Sequence, residues 1–251
     1  MKKRIVLLIL ICILLLSFFS CSRYMSLDEF SKYSVLDYNV IWDQAEHVIF
    51  IADDESGISY YKIEGISAED YIACVHEKYN IFIGEWSNPM VLVHADEGKD
   101  YSLDASTAQF TLREYGFWDG RRLEYWLNLG TTHRKQILSP IEESVAQEFA
   151  KQLPVNPSEY VDTGSSESYA IKSSIKNEDG TDSYLYLWIE IYLEGYDNLL
   201  WCGEVLRAGD DYLIAIHQNK NFGVYEYIHC DDSLSDLIDQ VVNEYGLVST
   251  P

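Results

Sequence analysis

The sequence is poor in basic residues, in proline and in cysteine, and it has no apolar run long enough to cross a bilayer. Of 251 residues only 18 are Lys or Arg, against 41 Asp or Glu, giving a formal charge of −23. A chain so short of cations cannot neutralise phosphates, which excludes nucleic acid as a partner. It equally disfavours direct contact between the folded chain and an anionic lipid surface. The five cysteines are Cys12, Cys21, Cys74, Cys202 and Cys230, without the close, regular spacing of a disulfide scaffold. A Cys202–Cys230 bridge and buried free thiols are equally compatible with that spacing. The longest apolar stretch, Ile5 to Phe19, is broken only by Cys12 and Ser17. It falls short of the roughly 20 residues of a spanning helix. Aromatic and aliphatic residues, by contrast, are plentiful: a hydrophobic content of 47% excludes wholesale disorder.

The signatures of well-defined chemistry are also missing. His76-Glu77-Lys78-Tyr79-Asn80 begins like a zinc-protease helix but carries Asn80 where the second histidine must stand. Gly164-Ser165-Ser166-Glu167 is not a nucleophile elbow, and there is no phosphate loop, dinucleotide fingerprint or EF-hand. The local pairs Cys74/His76, His94/Asp96 and His229/Cys230 are too scattered to define a metal site, so neither a metal nor a cofactor is expected. The acidic pairs Asp53-Asp54, Asp210-Asp211 and Asp231-Asp232 sit at turns or a helix start, where capping explains them.

What is present begins at the N-terminus. Met1-Lys2-Lys3-Arg4 is a basic start, the apolar stretch follows, and the segment closes on Leu16-Ser17-Phe18-Phe19-Ser20-Cys21. This resembles the type II signal peptide and lipobox of bacterial lipoproteins, in which a small residue precedes a cysteine that is lipidated. Ser20 and Cys21 match that pattern, whereas Phe18 and Phe19 depart from its usual Leu and small residue. Ordinary signal-peptidase cleavage would want a small residue in place of Phe18, and an uncleaved anchor would want a longer run. The resemblance implies lipidation at Cys21 and a lipid-anchored chain on the extracytoplasmic side of the cell membrane. It covers residues 1–21 alone. Beyond the leader, 15 basic residues face 41 acidic ones, a net −26.

The chain divides into the leader at 1–21, a tether at 22–35, an N-terminal region at 36–153, a linker at 154–166 and a C-terminal region at 167–251. Strands are expected at His47–Ala52, Ile58–Ile63, Asn80–Gly84, Val91–His94 and Gln109–Glu114. An antiparallel meander follows at 168–176, 183–194, 198–207, 212–217 and 223–230. Asp119-Gly120 marks a two-residue hairpin. Ser139, Pro140 and Glu142 predict the start of a helix running over 140–153 and stopped by Pro154, with Ile141, Val145 and Phe149 on one stripe. A second helix, with Leu234, Leu237, Ile238, Val241, Val242 and Tyr245 in register, is expected from a Ser233 cap to Gly246. The class this predicts is α+β: mainly antiparallel β-meanders, with two or three helices packed on the sheet faces. The echo of Asn39-Val40-Ile41-Trp42 in Asn198-Leu199-Leu200-Trp201 is consistent with a divergent internal duplication, and equally with chance.

Two surfaces stand out for function. Along Ser183–Glu194, Leu185, Leu187, Ile189, Ile191 and Leu193 form a core face, while Tyr184, Tyr186, Trp188, Glu190 and Tyr192 form the other. Tyr225, Tyr227 and His229 share a face in the last strand. Polar-tipped aromatics beside a carboxylate suit a surface for glycan or peptide, because flat rings bury area at low entropic cost. The competing reading is a second core layer under the terminal helix. Separately, Arg113, Arg121 and Arg122 lie in a locally basic stretch suited to an anionic ligand. The functions compatible with these features are a non-enzymatic binding lipoprotein with a glycan, peptide or basic protein partner, a cell-envelope hydrolase with Glu190 as first suspect, or an acidic inhibitory or protective lipoprotein.

Overall fold

The computed structural model describes residues 31–37, 39–43, 48–53, 58–76, 90–94, 101–114, 135–153, 168–218 and 225–250. The leader with Cys21, the Asp119-Gly120 hairpin with Arg121 and Arg122, the strand expected at 80–84 and the whole linker at 154–166 lie outside them. Fourteen strands form, in order β1 (Tyr33–Val35), β2 (Val40–Trp42), β3 (Val48–Asp53), β4 (Ile58–Ile63), β5 (Tyr71–His76), β6 (Met90–His94), β7 (Gln109–Glu114), β8 (Gln136–Pro140), β9 (Tyr169–Lys176), β10 (Asp182–Tyr192), β11 (Leu199–Ala208), β12 (Asp211–Gln218), β13 (Tyr225–His229) and β14 (Val248–Thr250). Among the described residues two α-helices join these fourteen strands, α1 (Glu143–Gln152) and α2 (Asp232–Tyr245).

Every strand pairing among the described residues is antiparallel. The smaller sheet runs β1-β6-β5-β4-β3. The larger runs β13-β12-β11-β9-β10-β7-β8, with β14 added on β9 and β2 on β11. β10 organises the larger sheet. It keeps β7 on one edge and changes partner on the other, pairing with β9 over Asp182–Tyr186 and with β11 over Trp188–Tyr192.

The α+β expectation is corrected. Fourteen antiparallel strands carry the architecture and only two α-helices are present among the described residues, so the fold is predominantly β. Period-two alternation of apolar residues wins over most of the chain. The stretch after Ser67 folds as β5, with Tyr71 and Ala73 buried in the core shared with the larger sheet and Ile72 and Cys74 buried in a second cluster with Ile51, Ala52, Tyr60 and Leu92. The two echoing segments, β2 and the start of β11, are paired with each other in one sheet, with Val40 opposite Trp201 and Trp42 opposite Leu199.

Both helices start later or differently than their sequence predicts. Ser139 and Pro140 belong to β8, paired with Phe110 and Gln109, so α1 begins beyond them with Glu142 at its N-cap and no side-chain cap bond. In α2 the cap is Asp231 rather than Ser233: its carboxylate accepts the Leu234 N–H at 2.8 Å. Gly246 ends that helix in the left-handed region at φ 60°, a conformation that costs glycine little.

One continuous core holds the two sheets and both helices. Its strand face consists of Leu185, Leu187, Ile189, Ile191 and Leu193 with Phe110, Leu112, Leu199, Trp201 and Val205. Tyr61, Ile63, Tyr71, Ala73 and Val91 of the smaller sheet close on it, as do Ala146 and Phe149 of α1 and Leu234, Ile238 and Val241 of α2. Each such large side chain contributes about 1.5–3 kcal/mol by leaving water. The Phe149 ring meets Trp201 edge-on at 5.8 Å. Gly203 is required beside this contact, because a Cβ there would lie 2.4 Å from Ile214 Cγ2 and 2.8 Å from Trp201 Cη2.

Candidate functional site

The face of the larger sheet opposite this core is the polar one. Cross-strand register places its residues in rows. Thr111, Trp188, Glu204, Ala215 and Tyr227 form one row across β7, β10, β11, β12 and β13. Arg113, Tyr186, Lys172 and Val248 form another across β7, β10, β9 and β14. Gln109, Glu190 and Cys202 form a third. Both helices bury their apolar stripes on the leucine side, so α2 does not cover this face.

The two ends of the face differ. At one end Tyr184 is 40% exposed, Val248 is 51% exposed and Ser174 is exposed, with Lys172 and Tyr186 half-buried. Lys172 Nζ lies 4.4 Å from the centre of the Tyr184 ring and 5.9 Å from that of Tyr186, a cation held over two aromatic faces. Burial, then the charge of Glu204 and the neighbouring Tyr184, push the Tyr186 phenol above its usual pKa, so it stays a hydrogen-bond donor at neutral pH.

At the other end the face closes over a charge cluster. Glu190 is fully buried. Its Oε1 accepts Arg113 Nε and, at 2.7 Å, the Thr111 hydroxyl. Its Oε2 meets Lys135 Nζ at 2.7 Å and Gln109 Nε2 at 3.5 Å. Asp43, at the end of β2, is the second anion: Arg113 Nη2 reaches its Oδ1 at 3.0 Å, and Oδ2 accepts Tyr192 Oη at 2.6 Å with Lys135 3.6 Å away. Two cations and two anions therefore balance, and four donors fill the Glu190 carboxylate. Burial alone would raise the Asp43 pKa. Arg113 and Lys135, with the Tyr192 and Arg113 hydrogen bonds, outweigh it and hold the carboxyl below its usual range. Burial and then the Asp43 carboxylate push the Tyr192 phenol well above its ordinary value. Arg113 is held charged by Glu190 and Asp43 despite its burial.

Cys202 sits opposite Glu190, and burial with the two nearby carboxylates raises its thiol to about 12 against the pull of Arg113 and Lys135. Cys230 is raised to about 12, by burial first and Asp231 second. Both stay protonated at neutral pH, which removes them as nucleophiles. Cys74, Cys202 and Cys230 are all free thiols, so the Cys202–Cys230 bridge is not formed. Among the described residues no group of three or more His, Cys, Asp or Glu is placed to hold a metal, and no helix is long and apolar enough to cross a membrane.

The sequence-predicted residues are thus distributed unevenly. Tyr184, Tyr186, Trp188 and Tyr227 share the polar face, whereas Glu190 and Tyr192 belong to the enclosed cluster. Tyr225 is placed by its backbone in β13 only. Arg113 is buried between Glu190 and Asp43 and turns its charge inward, away from any solvent anion. Sequence reasoning missed Asp43, Thr111, Gln109, Lys172 and Glu204. One signal was available: Gln109, Thr111 and Arg113 alternate with Phe110 and Leu112, the period-two mark of a polar face on an interior strand. Comparison of the chain with protein-family models, with curated proteins and with solved structures finds no match.

Proposed function

We propose that the protein is a membrane-anchored extracytoplasmic lipoprotein whose folded part is a non-enzymatic binding module, taking a glycan or peptide across Tyr184, Tyr186, Lys172 and Val248. The observation that carries this reading is the open end of the polar sheet face. Two tyrosines and a lysine stacked on them are presented by rigid, internally paired strands, with Trp188 and Tyr227 continuing the surface. Aromatic rings on a rigid sheet bury ligand area at little entropic cost, and the Tyr hydroxyls and Lys172 supply the polar contacts.

The hydrolase alternative loses its first suspect. A general acid must carry a proton to a substrate, and Glu190 is enclosed beneath two cations and two neutral donors. The reading as an acidic inhibitory or protective lipoprotein rests on the net −26 of the chain beyond the leader, and it predicts salt-sensitive capture of a basic protein. Titration of the full-length protein with panels of oligosaccharides and of unstructured peptides, followed by tryptophan fluorescence, tests the binding reading. A saturable response that Tyr184→Ala abolishes supports it. Saturable binding that survives Tyr184→Ala and Lys172→Ala places the site elsewhere.

A further inference from the structure

We infer that the outer edge of β3 is a strand-addition site for an extended, positively charged segment of a partner protein. This goes beyond the aromatic surface, because β3 lies in the smaller sheet. β3 is an end strand, and among the described residues it is paired with β4 alone. Alternate residues of such a strand turn their N–H and C=O outward, which templates another strand. Other sheet margins are blunted. β1, β2 and β14 are three residues each, β8 ends in Pro140, and β13 carries Glu226. β3 is six residues long, and Val48 to Ala52 contains no charge, proline or glycine.

Its side chains fit that use. Ile49 is 61% exposed and Phe50 48% exposed, two of the large apolar side chains most open to solvent. As neighbours in a strand they flank the free edge on opposite faces. A bulge between Phe50 and Ala52 turns Ile51 and Ala52 both inward, where they are buried, so it is Ile49 and Phe50 that border the edge. The Phe50 ring is held edge-on against Tyr61 at 5.8 Å and forms a fixed wall. Charge selects the occupant. A second copy of a chain at −23 is repelled, whereas an extended segment rich in Lys or Arg is drawn to the same edge.

The test uses the full-length protein in detergent micelles and a labelled peptide, Lys-Lys-Thr-Val-Thr-Val-Thr-Val-Lys-Lys. Its controls are the same peptide with the first and last Thr replaced by Pro, and one with Glu replacing Lys. The Lys peptide is expected to bind about tenfold or more tighter than either control, with affinity falling as salt rises. Backbone amides of Val48–Asp53 gain hydrogen-exchange protection on binding. Ile49→Lys weakens binding by a similar factor without shifting Tm, and Tyr184→Ala leaves it unchanged. Equal binding of the proline peptide overturns the proposal, since charge alone then suffices. A dimer in sedimentation that Ile49→Lys dissociates overturns it in favour of a second copy, and absence of binding overturns it outright.

Discussion

The two faces of β10 are built from the same eleven residues and obey opposite rules. On one, Leu185, Leu187, Ile189 and Ile191 are almost without solvent exposure and are covered by two helices and a second sheet. On the other, exposure falls along the strand, from Tyr184 at 40% to Glu190 at zero. The apolar face is held by non-directional burial, so it tolerates changes of shape that conserve volume. The polar face is held at one end by a closed set of ion pairs, each of which fails if a single partner is removed. Its other end is more exposed, so truncation there is expected to cost little stability. A surface free of structural duty is where binding can be placed at low cost, and here the Tyr184 end is that surface.

Mutations that break this comparison should separate the three zones. The largest loss is expected at the cluster. Glu190→Ala leaves Arg113 and Lys135 with Asp43 alone of the cluster's carboxylates to balance them in a buried site, at a cost of about 3–5 kcal/mol, read from denaturant unfolding. Leu187→Ala on the apolar face should cost about 2–5 kcal/mol through the cavity it opens. Gly203→Ala, whose added methyl meets Ile214 and Trp201, should cost about 1–3 kcal/mol, seen as a lower unfolding midpoint. Tyr184→Ala should shift stability by less than about 0.5 kcal/mol while removing ligand binding.

Two buried aspartates sharpen the comparison through pH. Asp43 has a depressed folded-state pKa, so its contribution to stability is present above the unfolded carboxylate value and is lost as pH falls through the folded one. Asp37 is the opposite case. Burial raises its pKa in spite of hydrogen bonds from Tyr101 Oη at 2.6 Å and the Asn39 N–H at 2.8 Å. Its ionised form therefore costs stability at neutral pH, and that cost is relieved as pH falls through the raised folded pKa. Melting temperatures of wild type and Asp37→Asn across mildly acidic pH should show the wild type gaining relative to the variant as pH drops. A constant difference would remove Asp37 from this account.

Strands were the legible part of the fold. β3, β4, β6, β7 and the meander β9–β13 form where strands are expected, β3 and β6 as short apolar runs and β7 and β10 through the period-two alternation that a sheet between a core and another environment requires. Helix starts were less legible, because Ser139-Pro140 and Ser233 carry valid capping chemistry that tertiary pairing overrode: β8 claimed the first pair, and Asp231 stood two residues ahead of Ser233. The fold class was misjudged because two strong helical patterns are conspicuous in a chain whose many short strands are individually weak signals. Of the site, the aromatic row of β10 was visible from alternation. Its ionic end was not, as Asp43, Arg113, Lys135 and Glu190 lie on four separate segments that only the strand order β2-β11-β10-β7-β8 brings together.

The central claim is that the Tyr184 end of the polar face binds a ligand while the Glu190 end only holds the sheet. Parallel titrations of wild type and Tyr184→Ala with the oligosaccharide and peptide panels, with unfolding curves on the same samples, test it most directly. The account predicts saturable binding by the wild type, its loss in the variant, and superimposable unfolding curves. Unchanged binding in the variant, or a substantial loss of stability accompanying the loss of binding, would contradict it.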